Sequence, residues 1–313
     1  MTTINPLIGL FQKSILAWGI ILGLGITACQ SPNSQPTNNQ PNVVSTSTII
    51  ADLTEKIAQG EVNHQGILEP GADPHVYEPV PTDSVAFEKA DLILYNGYNL
   101  EPGLIKLMKA SGIDARKVAV GEVVQPLDFE YQGQREPDPH VWADVKNAIT
   151  MVKVIRDELI KLSPEDESIF QQNAAMLITD LESLDTWITQ QIQTIPEQQR
   201  KLVTTHDAFQ YYAKAYGLTI MGTLIGISTE EQPSAQTVKN LTEEIKKSKV
   251  KAIFAETTIN RVLINTVAQE SGVKLAPQPL YSDSIGSPGS EGDSYIKMLR
   301  TNTKIIVDAL TGK

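Results

Sequence analysis

Ser163-Pro164-Glu165-Asp166 opens a stretch that then runs from Glu167 to Ile195 without a glycine or proline and stops at Pro196. Ser163 suits a helix N-cap and Pro164 the first helical position. Glu165 and Asp166 place negative charge where a helix dipole is positive. Ile169, Ala174, Leu177, Leu181, Leu184, Ile188 and Ile192 follow at helical spacing. Roughly 30 residues at 1.5 Å rise make a rod of about 45 Å, longer than one lobe needs. We read residues 164–195 as a connection between two lobes. One long surface helix within a single domain is the other reading that the pattern leaves open.

The sequence on both sides of the rod alternates strand and helix. Upstream, Val43 to Ile50 is β-branched and reads as a strand, Ala51 to Gln59 as a helix, and Val62 to Leu68 as a second strand. Thr82 to Lys89 is a helix, Leu92 to Tyr95 a strand, Leu104 to Ala110 a helix closed by Ser111-Gly112, and Val118 to Val120 a strand. Residues 122–138 read as a loop and Val145 to Lys161 as a helix. Downstream, strands are expected at Lys201–Thr205, Thr219–Ile225, Lys251–Glu256 and Leu275–Leu280. Helices are expected through Phe209 to Tyr216, Ala235 to Ser248, Arg261 to Ser271 and Ser294 to Leu310. This alternation gives an α/β protein with two lobes, each a mostly parallel sheet flanked by helices, joined by one long rigid helix. The lobes are residues 43–163 and 196–313.

Composition limits what such a molecule does. The chain has 313 residues, 41% of them hydrophobic and 20% charged, enough for two cores. Its formal charge of −11 argues against nucleic acid or an anionic membrane face as a partner and suits attraction of cations. The single cysteine, Cys29, rules out an intrachain disulfide and a thiolate-rich metal site. Residues 1–28 carry Lys13, then a short apolar run, then Ile26-Thr27-Ala28 before Cys29. That is the pattern of an export signal, too short to span a bilayer as a helix. An aliphatic residue, two small residues and Cys resemble the lipobox of bacterial lipoproteins, which makes Cys29 the expected lipidation site. Residues 29–42 are polar and proline-rich and read as a flexible tether.

The chain has four histidines, His64, His75, His140 and His206. Two of them occupy the same tetrapeptide, Asp73-Pro74-His75-Val76 and Asp138-Pro139-His140-Val141, each followed by a large aromatic residue, Tyr77 or Trp142. Proline fixes its own φ and pushes the preceding residue toward extended backbone, so each turn presents its imidazole from a stiff, irregular segment. His75 follows an expected strand, His206 ends another, and Glu256 and Asp283 also fall where strands end. In open α/β sheets ligands bind at that edge. Neutral imidazole is the commonest protein metal ligand. Three imidazoles and the Asp283 carboxylate, brought from four separate loops, suit one divalent cation. Asp144, Asp207 and Glu256 are candidates to balance its charge and orient the imidazoles. His64 lies inside a strand pattern and reads as a surface or packed strand histidine.

These motifs resemble the zinc/manganese substrate-binding lipoproteins of bacterial ABC transporters, the TroA-like and ZnuA-like group. The likeness runs from about Val43 to the C-terminus and is carried by D-P-H-V-Y-E-P at His75, D-P-H-V-W at His140, T-T-H-D-A-F at His206 and Y-S-D-S-I-G at Asp283. It implies two α/β lobes joined by one long helix, one divalent metal ion held between them by His75, His140, His206 and Asp283, and small lobe closure. It implies delivery of the ion to a membrane permease for import, with the protein lipid-anchored on the outer face of the cytoplasmic membrane or in the periplasm. A monomer is expected, touching the membrane only through its anchor. Relatives that strongly favour manganese often carry Glu where this chain has His206. A nitrogen-rich set therefore leans toward Zn²⁺ over Mn²⁺. The histidine-rich loop common in dedicated zinc importers is missing.

Two other functions compete. An exported metallohydrolase would leave a coordination position open for water beside a general base. Here four side chains fill the shell, and no H-E-x-x-H pair is present. A surface adhesin with a structural metal site is as compatible with an anchor and a tether as an importer is. The expectation is a binding protein and not an enzyme.

Overall fold

The computed structural model describes residues 40–110, 113–131 and 134–312. The expected signal at 1–28, the lipidation site Cys29, nearly all of the tether 29–42 and the Ser111-Gly112 helix stop lie outside the described residues.

The first half builds a four-stranded parallel sheet from β1 (Asn42–Ser45), β2 (Asn63–Gly66), β3 (Leu92–Tyr95) and β4 (Arg116–Ala119), in the order β2-β1-β3-β4. Helices α1 (Thr48–Ala58), α2 (Pro81–Lys89) and α3 (Pro102–Ala110) connect these strands. The strand expected at 43–50 ends at Ser45. Ser47 adopts extended backbone and its Oγ accepts the Ile50 N–H at 3.3 Å, so the helix begins before the β-branched run is over. The loop expected at 122–138 contains a short antiparallel hairpin, β5 (Asp128–Tyr131) with β6 (Gln134–Pro137). Polar four-residue strands give too little alternation to be read from sequence. A one-turn 3₁₀ segment at Val141–Ala143 then leads into α4 (Val145–Leu162).

The second half repeats the same plan. β7 (Lys201–Thr204) and β8 (Thr219–Thr223) pair in parallel, as do β9 (Ala252–Ile253) and β10 (Lys274–Leu275). The Phe254 N–H donates to the Val203 carbonyl at 2.9 Å and joins the two pairs. The strand order is therefore β8-β7-β9-β10, the arrangement of the first half. An isolated parallel bridge between Glu256 and Leu280 prolongs the last pairing toward the strand ends.

Between the halves runs α5 (Glu167–Gln193), entered through a 3₁₀ turn at Pro164–Asp166. Its 27 residues span about 40 Å. Phe170, Asn173, Ala174, Leu177, Leu181, Leu184, Ile188 and Ile192 are buried along its whole length. The Asn173 amide donates to the Ile57 carbonyl of α1 at 2.9 Å, and the Arg300 guanidinium stacks 4.8 Å over the Trp187 ring. Arg300 belongs to α9 (Tyr295–Thr311), which follows α6 (Gln210–Tyr216), α7 (Ala235–Ser248) and α8 (Val262–Ser271). One apolar core runs from Val43 through this helix to Leu310. A stripe this continuous makes α5 a stiff spine rather than a bare linker.

Candidate metal centre

The candidate residues lie in polar turns beyond the ends of strands in both halves. His75 lies in the loop after β2. The Asp73 Oδ1 accepts the His75 N–H at 3.0 Å and closes the turn around Pro74. The second motif repeats the device, with Asp138 Oδ1 accepting the His140 N–H at 3.0 Å. That same oxygen also accepts from His140 Nδ1 at 2.8 Å. A carboxylate only accepts, so Nδ1 carries a proton and Nε2 is the nitrogen turned inward. The Asn96 amide donates to Pro139 O at 2.9 Å and the Tyr211 hydroxyl donates to Asp138 O at 2.9 Å, which pins the turn from two sides.

His206 follows β7 directly. Glu256, beyond β9, takes its backbone N–H on Oε1 at 2.8 Å and its Nδ1 on Oε2 at 2.5 Å. Asp283 lies in the turn after Leu280. Asn302 of α9 fixes that turn by accepting the Tyr281 N–H at 2.9 Å and donating to Tyr281 O at 2.7 Å. The aromatic residue of the second motif completes the join, because Trp142 Nε1–H donates to Ser282 O at 3.1 Å. Its counterpart in the first motif does local work: the Tyr77 hydroxyl donates to Asp83 at the start of α2.

These four turns bring His75, His140, His206 and Asp283 together, with one ligand atom from each lying within 4.8 Å of all the others. His75 Nε2 is 3.2 Å from His140 Nε2. Asp283 Oδ1 is 3.2 Å from His140 Nε2 and 4.0 Å from His75 Nε2, and Asp283 Oδ2 is 3.2 Å from His206 Nε2. A tetrahedral shell with bonds of 2.0–2.1 Å has edges of about 3.3 Å, close to the 3.2 Å that separates His140 Nε2 from His75 Nε2 and from Asp283 Oδ1. None of the four residues is more than 3% exposed. His206 Nε2 and Asp283 Oδ1 are buried without a hydrogen-bond partner. Buried polar atoms are rarely left so, and a cation between them would satisfy both.

The electrostatics favour positive charge at the centre. Burial alone lowers the basicity of every imidazole and holds His75 down to about 3. At His140 burial acts the same way, but Asp138 and Asp283 outweigh it and raise the group to about 9. At His206 burial is overcome by Glu256 and Asp283, which raise it well above its usual value. Burial pushes Asp283 up, yet His206 and His140 hold it well below the usual carboxylate range. Protons on His140 and His206 answer the same carboxylates that a cation would.

Of the three carboxylates expected to support the site, Glu256 is placed behind an imidazole. Asp144 is not, since its side chain accepts the Lys146 N–H and caps α4. Asp207 accepts from the Gln210 amide rather than from an imidazole. Asp144 follows its histidine by four residues, but the 3₁₀ turn between them carries it to the next helix. Sequence reasoning passed over Asp138 and Asp73, the first letters of the repeated motif, although their identity in both copies was the available signal. His64 stays in β2, between Ser45 Oγ at 2.9 Å and Glu55 Oε2 at 3.1 Å. That order mimics a hydrolytic triad, but Ser45 is fully buried and no substrate carbonyl reaches it.

Residues 43–309 match the family model of ZnuA, the periplasmic component A of a zinc-uptake complex. The chain is 34% identical over 305 residues to the metal ABC transporter substrate-binding lipoprotein FimA of Streptococcus parasanguinis, covering 95% of this chain and 98% of that one. It is 34% identical to the manganese-binding lipoprotein MntA of Halalkalibacterium halodurans, over 86% of this chain and 88% of that one. Among solved structures it resembles the periplasmic zinc-binding protein TroA from Treponema pallidum, with a TM-score of 0.82 and 35% identity, covering 87% of this chain and 99% of that one.

Proposed function

The chain belongs to the ZnuA family of substrate-binding components of metal ABC transporters, a family of carriers and not of enzymes, and we propose that it captures one divalent metal ion on His75, His140, His206 and Asp283 and hands it to a membrane permease. The observation that carries this reading is the burial of four convergent ligand atoms from four separate turns. Glu256 and Asp138 hold two of the imidazoles with Nε2 turned inward. With Asp283 they bring three carboxylates to the neighbourhood of one divalent ion.

The donor set has three nitrogens, and zinc lies above manganese in the Irving–Williams order for such sets. We assign Zn²⁺ as the more tightly held ion and Mn²⁺, named for MntA and other relatives, as the weaker competitor. In this reading the lobes are residues 43–163 and 196–313 with 164–195 as the spine. The protein acts as a monomer outside the cytoplasmic membrane, anchored through Cys29. No helix among the described residues is long and apolar enough to cross a membrane.

The direct test is His140→Ala. Metal-free wild-type protein is expected to take up one zinc ion per chain, and the variant to lose tight uptake while keeping its circular dichroism. Zinc uptake by the variant at wild-type affinity would contradict the assignment.

A further inference from the structure

The candidate ligands are at most 3% exposed, so an ion passes in or out only when part of the wall moves. The side bearing Trp142 is poorly suited to move: the buried Tyr295 donates its hydroxyl to Trp142 O at 2.6 Å, and Trp142 itself is buried and bonded to Ser282. The wall formed by the His75 turn and residues 224–233, which follow β8, is different. Only Leu224 and Ile227 of that segment are buried. Segments with few buried contacts open at low free energy.

This segment is a strap that lines two cavities. Ile227, Ser228, Glu230 and Glu231 line a cavity of about 490 Å³ that reaches His75. Ile225, Thr229, Gln232 and Pro233 line another, of about 440 Å³, that reaches Asp73. The root of the strap is tied to the neighbours of His206. The Leu224 and Ile225 N–H groups donate to Thr205 O at 3.0 and 2.9 Å, and the Asp207 N–H donates to Gly226 O at 3.1 Å. Its outer part is tied to the His75 turn, where the Thr229 hydroxyl donates to Asp73 Oδ2 at 2.7 Å. The other oxygen of that carboxylate holds the His75 N–H. One side chain thus links the turn carrying one ligand to the strap rooted beside another.

We propose that the Asp73–Thr229 hydrogen bond is a latch over the metal centre that sets how fast the ion exchanges, in both directions, without setting how tightly it is held. This rests on the metal-capture reading above. Thr229 is no ligand and does not touch one, so its loss leaves the shell intact. Neither partner of the bond is a candidate ligand, so breaking it favours opening with or without the ion. Association and dissociation then accelerate together, and their ratio is preserved. A residue that merely positions a ligand behaves otherwise, since its loss raises dissociation alone and weakens affinity. The second motif has no such bond: Asp138 Oδ1 accepts from His140 itself, and Oδ2 has no hydrogen-bond partner. This makes the His75 turn the side that opens.

The test is stopped-flow kinetics of Zn²⁺ on the purified full chain, with association followed directly and dissociation followed into an excess of chromophoric chelator. Thr229→Val keeps shape and removes the hydroxyl. It is expected to raise both rate constants about tenfold, the equivalent of one hydrogen bond to a charged acceptor, with Kd within about twofold of wild type. Thr229→Ser restores the hydroxyl and is expected to return both rates to wild type. Unchanged rates in Thr229→Val would overturn the latch, and so would a Kd weakened in step with dissociation. Failure of the wild type to bind one Zn²⁺ per chain would instead sink the capture reading beneath it.

Discussion

At the scale of single residues, the chemistry of the centre is set by which oxygen faces which ring nitrogen. Asp138 and Glu256 both accept from Nδ1, so the proton displaced by a metal is the one on Nε2. His140, raised to about 9, and His206, raised well above its usual value, are both expected to be protonated at neutral pH before an ion binds, whereas His75, near 3, is neutral. Binding at pH 7 is therefore expected to release about two protons per ion, and affinity to rise as the pH is raised through the His140 transition near 9. Calorimetry in two buffers of different ionisation enthalpy reads the count directly. A proton count of zero at pH 7 would mean that the imidazoles are not charged as described. The convergence of the four candidate ligands was legible in the sequence, because Asp-Pro-His is repeated and histidine is scarce in this chain. The supporting carboxylates were less so. Glu256 ends a strand and was placed on that ground, but the roles of Asp73 and Asp138 depend on a backbone turn that folds each side chain over its own histidine. Sequence spacing does not fix that geometry.

At the scale of elements, polar residues at the ends of strands and helices divide into those that bind and those that terminate. Asp144 shows the division. Its position after the second motif suggested a supporting role at the site, yet its carboxylate accepts the Lys146 N–H and starts α4. Asp144→Ala is expected to cost about 1 kcal/mol of stability, the usual worth of an N-cap, and to leave zinc affinity unchanged. Denaturant unfolding beside a zinc titration distinguishes this from a metal-site role, which would reverse the two outcomes. The same competition between cap and strand explains why β1 stops at Ser45. Thr46 to Ile50 has the composition of a strand, but Ser47 supplies a cap acceptor, and the apolar side chains of Ile49 and Ile50 are buried from a helix instead. The long regular elements were readable because their period repeats many times: α4, α5, α7 and α9 fall within a few residues of their expected bounds. The hairpin β5–β6 was not, since two polar strands of four residues leave no period to detect.

At the scale of the molecule, the two sheets share one strand order and present their C-terminal ends to a common site. His75 and His140 come from the first half, and His206 and Asp283 from the second. A shell divided in this way makes metal binding and the relation of the halves one equilibrium. The spine α5 is buried along a continuous stripe and shares a core with both halves, so large hinge motion about it would expose apolar surface. Opening is cheaper at the strap and the His75 turn, where the contacts are few and half-exposed. The strand–helix alternation of each half was visible in the chain. The shared core was not, because which helices pack on α5 is decided by tertiary contact and not by their own pattern.

The most direct test of the account is a competition titration of the metal-free protein, zinc against manganese, with wild type and His206→Glu side by side. Four convergent side chains with three nitrogens predict one zinc ion per chain that a large excess of manganese does not displace, and a variant in which that preference narrows. Displacement of zinc from the wild type by manganese within about tenfold, equal to about 1.4 kcal/mol, would contradict the assignment of zinc. Absence of stoichiometric binding by either ion would contradict the metal centre itself.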